Sequence, residues 1–201
     1  MKIIIIPWYQ AVEFELEEGA VRAQILEPIK VVAHRKPEKI YKIGDGSYTF
    51  DMGQNYAGWS RLKVKGPRGT KIRMVHAELL HDDHTVNQIS LRGMRATDTY
   101  ILKGEGEEVY EPGFTYHGYR YVQVFGLPCE PEADTITGCV VRSAVEEIGE
   151  FSCSNSLINR LDQNINWTEQ SNLNSIPTDC PQRDERLGWI NDISVRNEGA
   201  I

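Results

Sequence analysis

The sequence predicts a mainly β protein: an antiparallel β-sandwich of jelly-roll type, followed by a short α-helical segment. Three observations support this fold class. Short strand-like runs separated by Gly, Pro, Asp and Asn fill residues 21–145, with no helical repeat between them. Near residue 150 the apolar period changes from that of a strand to that of a helix. The length of 201 residues suits one ordinary domain and part of another.

Seven runs in the first part of the chain are predicted to be strands. They cover residues 29–34, 47–52, 59–65, 70–79, 97–103, 119–125 and 136–143. The spacers between them, such as Gly44-Asp45-Gly46, form turns because glycine reaches positive φ without steric cost. The run at 119–125 carries apolar side chains on both faces, which predicts that this strand is covered on each side.

The helical part is predicted to begin after Ser154 or Asn155, either of which can cap a helix N-terminus. The apolar residues that follow recur at helical spacing as far as Asn172, and Pro177 and Pro181 then indicate a loop. A further helical pattern starts near residue 183 or 192. We therefore divide the chain into residues 1–20, the end of a preceding domain or a linker, residues 21–148, the sandwich, and residues 149–201, the start of an α-helical domain.

Composition excludes several classes of partner. The formal net charge is −7, which disfavours nucleic acid or an anionic membrane surface and is compatible with a neutral ligand such as a sugar. The longest apolar run is far shorter than the roughly 18 residues needed to cross a bilayer. The four cysteines form no CxxC pair, so we expect free thiols and a reducing, cytoplasmic location.

Neither a metal site nor a cofactor is predicted. The candidate ligands His81-Asp82-Asp83-His84 are interpreted as a polar hairpin turn, because two histidines three residues apart lack the further ligands that zinc requires. His117 is expected to be a hydrogen-bonded histidine of the core or sheet edge. The aromatic residues Trp59, Tyr116, Tyr119 and Tyr121 could line a carbohydrate surface, but we expect them in the core or at a domain interface. The glutamates between residues 105 and 111 are interpreted as a solvated loop.

The strongest chemical signal lies in residues 177–192, PTDCPQRDERLGWIND, here called the acidic segment. It holds four carboxylates, two arginines and a tryptophan. Glycoside hydrolysis needs one carboxylic acid to protonate the leaving oxygen and a second carboxylate on the opposite side of the sugar. The arginines oppose protonation, so an acid in this segment is expected to face away from them. From composition alone, a solvated and salt-bridged helix start is the favoured interpretation.

Residues 178–189, TDCPQRDERLGW, resemble the signature at the start of the catalytic (α/α)-barrel of bacterial α-L-rhamnosidases. Three upstream stretches are similar to the β-sandwich that precedes that barrel: FDMGQNYAGW at 50–59, RGMRATDTY at 92–100 and FTYHGYRYV at 114–122. Together the resemblance covers residues 20–201.

The resemblance implies an inverting glycoside hydrolase that releases terminal α-L-rhamnose. Glu185 matches the general acid of the family. Asp179 and Asp192 match acids that contact the sugar or support the reaction, Trp189 matches a substrate-facing aromatic, and Arg183 matches a further substrate-site position. Asn191 departs from the glycine that many relatives have there, which weakens the match of Asp192.

The family's general base is a glutamate farther along the barrel, and no residue of this chain matches it. The chain alone is therefore expected to be inactive, and to need the remainder of a catalytic domain or a second copy in a homodimer. A non-catalytic carbohydrate-binding or interaction module is the competing interpretation, and a sandwich that serves only as scaffold is the third.

Overall fold

The computed structural model describes residue 12, residues 22–189, and residues 191, 192 and 194. The segment 1–20, predicted to be a linker or the end of another domain, lies outside the described residues except for Val12. Antiparallel β-strands are the main regular structure of the described chain, with α-helix at its C-terminal end, as the sequence predicts. None of the helices within the described ranges is long and apolar enough to cross a membrane.

Eight strands join into one curled antiparallel sheet. Its main path runs β1-β10-β3-β9-β4-β7, while β2 and β8 also pair with β3. The strands are β1 (Ile29–Arg35), β2 (Lys39–Lys42), β3 (Tyr48–Lys65), β4 (Lys71–Ala77), β7 (Thr97–Ile101), β8 (Glu107–Tyr110), β9 (His117–Phe125) and β10 (Ile136–Ser143). A short hairpin, β5 (Leu79–Leu80) and β6 (Val86–Asn87), and a 3₁₀ turn at Ile89–Leu91 connect β4 to β7.

Strand β3 organises the sheet because it has different partners along its length. Its first part pairs with β2 on one edge and β9 on the other, and its last part pairs with β10 and β8. The register with β9 shifts between Asp51 and Tyr56, around Gly53, whose φ is +76°. Such an irregularity bends a strand. Strand β3 continues through this bend, so the two strands predicted at 47–52 and 59–65 are one continuous strand.

Within the described part of the chain, one apolar core lies inside the curl. Phe50, Met52, Ile72, Met74 and Val122 are completely shielded from solvent. Tyr119 is also fully buried, and its hydroxyl donates to the carbonyl of Trp59 at 2.7 Å. The expectation that strand β9 is covered on both faces holds for Tyr119, Val122 and Val124, whereas Tyr121 is only half-buried.

The interpretation of residues 105–111 as a solvated loop is wrong, because β8 lies within it. Glu108 is buried and accepts hydrogen bonds from the Tyr100 hydroxyl at 2.8 Å and from the amides of Lys103 and Gly104. Glu111 accepts from the Trp59 indole at 2.9 Å. Closely spaced glutamates usually indicate an exposed loop, and the sequence gives no sign that these two carboxylates accept hydrogen bonds from backbone amides and aromatic side chains. Strand β2 was also not predicted.

Helix α1 (Ser156–Asn172) begins after Asn155, as predicted, and the Asn155 carboxamide oxygen accepts from the Leu157 amide at 2.9 Å. The helix packs against β3 and β10 through its C-terminal half. Trp167 lies against the core with the Arg35 guanidinium 5.6 Å from its ring. Its predicted apolar stripe is exposed to a large extent: Leu157, Ile158, Leu161 and Ile165. The short strands β11 (Leu173–Asn174) and β12 (Ile176–Pro177) lead into the acidic segment.

Candidate active site

The acidic segment lies on the start of strand β9. Gly118 makes this possible: a Cβ atom there would come within 2.8 Å of the Gln182 nitrogen and 2.9 Å of Pro181 Cγ. The missing side chain lets the backbone of the segment rest directly on the sheet. Arg186 fixes the contact, since its Nη2 donates to the carbonyls of Tyr116 at 2.9 Å and Pro181 at 2.8 Å. Its guanidinium also stacks 4.1 Å from the centre of the Tyr116 ring.

Asp179 closes the loop of the acidic segment. Its Oδ1 accepts from the Leu187 amide at 2.8 Å, and its own amide donates to the Leu187 carbonyl at 3.0 Å. Burial by itself raises the pKa of Asp179, but hydrogen bonds from Cys180, the Leu187 amide and Arg183 outweigh it and hold the pKa below the ordinary value. Asp179 is therefore an ionised carboxylate that holds the loop together.

Glu185 is held from three sides. Its Oε2 forms an ion pair with Arg183 Nη2 at 2.9 Å and accepts from Arg92 Nη1 at 3.0 Å, and its Oε1 accepts from the Trp189 indole at 3.2 Å. Only 20% of the side chain is exposed. The expectation that this acid faces away from the arginines is correct for Arg186 and wrong for Arg183. Arg183 is two residues away in sequence and bridges Glu185 to Asp179, which its Nη2 reaches at 3.3 Å.

Two cavities border the acidic segment. The larger, about 690 Å³, lies between residues 145–151, helix α1 and the segment, and is lined by Asp179, Trp189 and Asp192. The smaller, about 440 Å³, lies between the sheet and α1 and is lined by Asp179, Arg183 and Trp167. Both volumes are in the range of small-ligand sites. Asp179 lines both cavities, whereas Glu185 is covered by Arg92 and Arg183 and lines neither.

The predicted site residues are thus only partly brought together. Two hydrogen bonds and one ion pair join Asp179, Arg183, Glu185 and Trp189 in series. Asp192 shares the larger cavity with Asp179 and Trp189 and is exposed. Sequence reasoning gave no role to Arg92, which reaches Glu185 across 93 positions of sequence. The only signal for it was its place in the stretch 92–100, because a contact this distant leaves no local pattern.

Among the residues that the structure describes, two groups of side chains could hold a metal ion by their spacing. Asp179, Cys180 and Glu185 offer atoms within 4.8 Å of one another. The Arg183 guanidinium already bonds both of these carboxylates and supplies the positive charge. The hairpin interpretation of residues 81–84 is confirmed: the His81 amide donates to the Thr85 carbonyl at 2.8 Å, within the turn that joins β5 to β6.

The other group is His76, Asp98 and His117. His117 is a buried histidine whose Nε2 lies 3.0 Å from Asp98 Oδ2, which confirms the hydrogen-bonded core interpretation. It stacks at 4.4 Å on His76, for which the sequence carried no signal, and His76 Nε2 meets the Ser60 hydroxyl at 3.0 Å. Nearly parallel imidazole rings direct their nitrogen lone pairs side by side, so they converge poorly on a single ion.

Two family models match the chain. The concanavalin-like domain of bacterial α-L-rhamnosidase matches residues 41–142, and the six-hairpin glycosidase domain of the same enzymes matches residues 146–201. The α-L-rhamnosidase of Streptomyces avermitilis is 44% identical over 173 residues, which are 86% of this chain and 17% of that protein. An α-L-rhamnosidase of Formosa agariphila is 36% identical over 199 residues, covering 96% of this chain and 21% of that protein.

Solved structures agree with these matches. The α-L-rhamnosidase from Dictyoglumus thermophilum superposes with a TM-score of 0.87 at 51% identity, over 89% of this chain and 20% of that one. The Streptomyces avermitilis enzyme, solved in complex with L-rhamnose, gives a TM-score of 0.84 at 44% identity, over 87% of this chain and 17% of that one.

A concanavalin-like β-domain that leads into a glycosidase domain defines the class of protein as glycoside hydrolase. The chain spans about a fifth of the length of these relatives. Within that class, it belongs to the bacterial α-L-rhamnosidase family.

Proposed function

We propose that this chain forms the acid-donating half of an α-L-rhamnosidase active site, which hydrolyses terminal α-L-rhamnosides with inversion. Glu185 is the general acid, Arg183 and Trp189 contact the sugar, and Asp179 and Asp192 contact it or support the acid. The supporting observation is the series of direct contacts, two hydrogen bonds and one ion pair, from Asp179 through Arg183 and Glu185 to Trp189, beside a cavity of about 690 Å³.

Each of these residues has a physical task in such a site. The general acid must place a proton on the glycosidic oxygen as the bond to the leaving group breaks. In the present arrangement both oxygens of Glu185 accept from cationic or indole donors, so substrate must displace at least one donor before Glu185 can reach that oxygen. Trp189 is half exposed beside the cavity and offers a flat apolar surface to the C–H face of a sugar.

An inverting reaction also needs a base that activates water on the far side of the sugar, with its carboxyl group about 6.5–9.5 Å from the acid. Asp179 and Glu185 contact the same Arg183 guanidinium and so lie too close together to stand on opposite sides of a sugar. We therefore propose that the base comes from chain that the longer relatives possess, and that the 201 residues alone have negligible turnover. Free thiols at all four cysteines support a reducing, cytoplasmic location.

The test places this chain in a complete enzyme. The matching stretch of the Streptomyces avermitilis α-L-rhamnosidase is replaced by this chain, so that the host supplies the remaining four-fifths. Hydrolysis is followed with a 4-methylumbelliferyl and a 2,4-dinitrophenyl α-L-rhamnoside. Glu185→Gln should reduce kcat on the first substrate by about 10²–10⁴-fold, the usual contribution of general acid catalysis. The loss should be much smaller on the second, because dinitrophenolate leaves without protonation.

The control is Asp184→Asn, which removes the neighbouring carboxylate of the same loop and should affect both substrates equally. Proton NMR of the first product formed should show the β-anomer of rhamnose, as inversion requires. Equal behaviour of the Glu185 and Asp184 variants on both substrates would contradict the acid assignment. Rapid hydrolysis by the isolated 201-residue chain, abolished by Glu185→Gln, would contradict the half-site proposal. Rhamnoside binding that ignores Glu185 would favour a non-catalytic binding module.

A further inference from the structure

The turn that follows the 3₁₀ helix has an unusual backbone. The Met94 amide donates to the Leu91 carbonyl at 3.0 Å, which closes a four-residue turn around Arg92 and Gly93. Arg92 has φ 54° and ψ −117°, the values of the first central residue of a type II′ turn. Glycine is favoured at this position because a Cβ atom there is strained. Here an arginine occupies it.

Glycine occurs instead at the second central position, where the turn does not need it. Gly93 is not among the residues with positive φ, so its backbone would accept any L-residue. Exchanging the two residues would relieve the turn, since a side chain in such a backbone region costs on the order of 1–3 kcal/mol. The order of these two residues therefore has to be explained by contacts outside the turn.

Both residues contact the acidic segment. The Arg92 guanidinium donates through Nη1 to Glu185 Oε2 at 3.0 Å. At Gly93, an added Cβ would lie 2.9 Å from Asp184 Oδ2, so the Asp184 carboxylate occupies the space a side chain would take. Arg92 therefore contacts Glu185, and Gly93 leaves space for the adjacent Asp184.

The two other partners of Glu185, the ion-paired Arg183 and the donor Trp189, belong to the acidic segment itself and move with it. Within the described residues, Arg92 is the donor that ties this carboxylate to the β-domain. Its position is anchored in turn, because the next residues enter β7, which pairs with β4 in the main sheet. A carboxylate held by its own loop alone can rotate with that loop, whereas one also held from the sheet has a fixed direction.

We infer that Arg92 is a positioning residue, placed by a strained turn of the β-domain, that sets the direction of the Glu185 carboxyl group. The significance of this role for catalysis rests on the proposed function of Glu185. The contact between Arg92 and Glu185 is independent of that proposal, and its loss can be measured in the 201-residue chain without any turnover.

The test compares Arg92→Gly and Arg92→Lys with Arg95→Gly, a matched change at an exposed arginine of the same loop. Glycine relieves the strained backbone, so Arg92→Gly should keep or raise the melting temperature while it removes the contact to Glu185. The readout is the indole ¹H–¹⁵N resonance of Trp189, which donates to Glu185. This resonance should shift toward its position in Glu185→Ala, and Arg92→Lys should restore at least half of the difference.

Chymotrypsin gives an independent readout, because it cleaves after Leu187 and Trp189 and does not depend on arginine. Cleavage there should be about three- to five-fold faster in Arg92→Gly, the order expected for loss of one partly shielded ion pair. Arg95→Gly should match the wild type in both readouts.

The inference is overturned if Arg92→Gly leaves the Trp189 resonance and the cleavage rate unchanged. It is also overturned if Arg92→Gly destabilises the whole domain, since Arg92 would then serve the turn itself. These outcomes are separate from those for the proposed function, which fails when Glu185→Gln remains active in the hybrid enzyme, whatever the Arg92 variants show.

Discussion

Gly118→Ala tests how the acidic segment is docked on the sheet. Gly118 lies in β9 and lacks a positive φ, so its backbone accepts alanine without strain. The new methyl group would lie 2.8 Å from the Gln182 nitrogen, 3.0 Å from Gln182 Cα and 2.9 Å from Pro181 Cγ. Two of these atoms are main-chain atoms and the third belongs to a rigid ring, so no side-chain rotation can make space.

Ordinary contact begins near 3.4 Å, so the segment must retreat by about 0.6 Å or leave the sheet. Overpacking of this kind costs about 1–3 kcal/mol. For a chain of this size, that lowers the melting temperature by about 3–10 °C. If the segment leaves the sheet instead, the cost is limited to its docking free energy, and chymotrypsin cleavage at Leu187 increases strongly.

The assay is thermal unfolding together with limited proteolysis, with Gly113→Ala as control. Gly113 also lacks a positive φ, and an added Cβ there meets no atom within 4 Å. Gly118→Ala should differ from this control in melting temperature, in cleavage rate, or in both. If the two variants behave alike in both measurements, the close docking of the acidic segment on β9 is refuted.

Three further predictions concern buried groups. Burial, with a smaller effect from His117, lowers the pKa of His76 to about 3, so only the unfolded chain binds this proton between pH 6.5 and 3. The free energy of unfolding should therefore decrease as the pH is lowered from 6.5 to 3. NMR should show a His76 ring that remains neutral at pH 5. Burial raises the pKa of Cys139 to about 12, whereas Cys153 is exposed; a thiol reagent at pH 8 should label Cys153 quickly and Cys139 only after unfolding, as mass spectrometry can show. Glu108→Gln should lower the melting temperature more than Glu105→Gln, because a carboxamide cannot accept all three hydrogen bonds of the buried carboxylate. Equal shifts in melting temperature would contradict a stabilising role of the buried Glu108.

Local patterns predicted most elements of the fold. Asn155 caps α1 through its own side chain, a signal that is complete within three residues. The runs at 29–34 and 136–143 became strands β1 and β10 with nearly the same bounds. The continuity of β3 was not predicted, because the bend near Gly53 resembles the turn signals that separate other strands.

The composition of the candidate site could be predicted, but its electrostatics could not. The acidic segment is contiguous, so Asp179, Arg183, Glu185 and Trp189 were bound to be neighbours. Whether Glu185 would meet Arg183 or Arg186 depends on the loop closed by Asp179 and Leu187, and on Tyr116, which draws Arg186 away. The contact of Arg186 with Tyr116 spans 70 positions of sequence, where no spacing rule applies, and the Asp179–Leu187 contact closes an irregular loop that has no repeat.

The seam between the two halves of this chain combines close main-chain contacts at glycines with specific side-chain contacts, such as Arg92 to Glu185 and Arg186 to Tyr116. Gly93, Tyr116 and Gly118 on the β side fit the backbone and carboxylates of residues 181–186 on the other. A designer who recombines enzymes of this family should therefore transfer both sides together and place the crossovers before strand β1 and after residue 189, because β3 and β4 pair with β9 across the whole β-domain. An exchange made between them would join surfaces that were never fitted to each other, even where each half folds correctly.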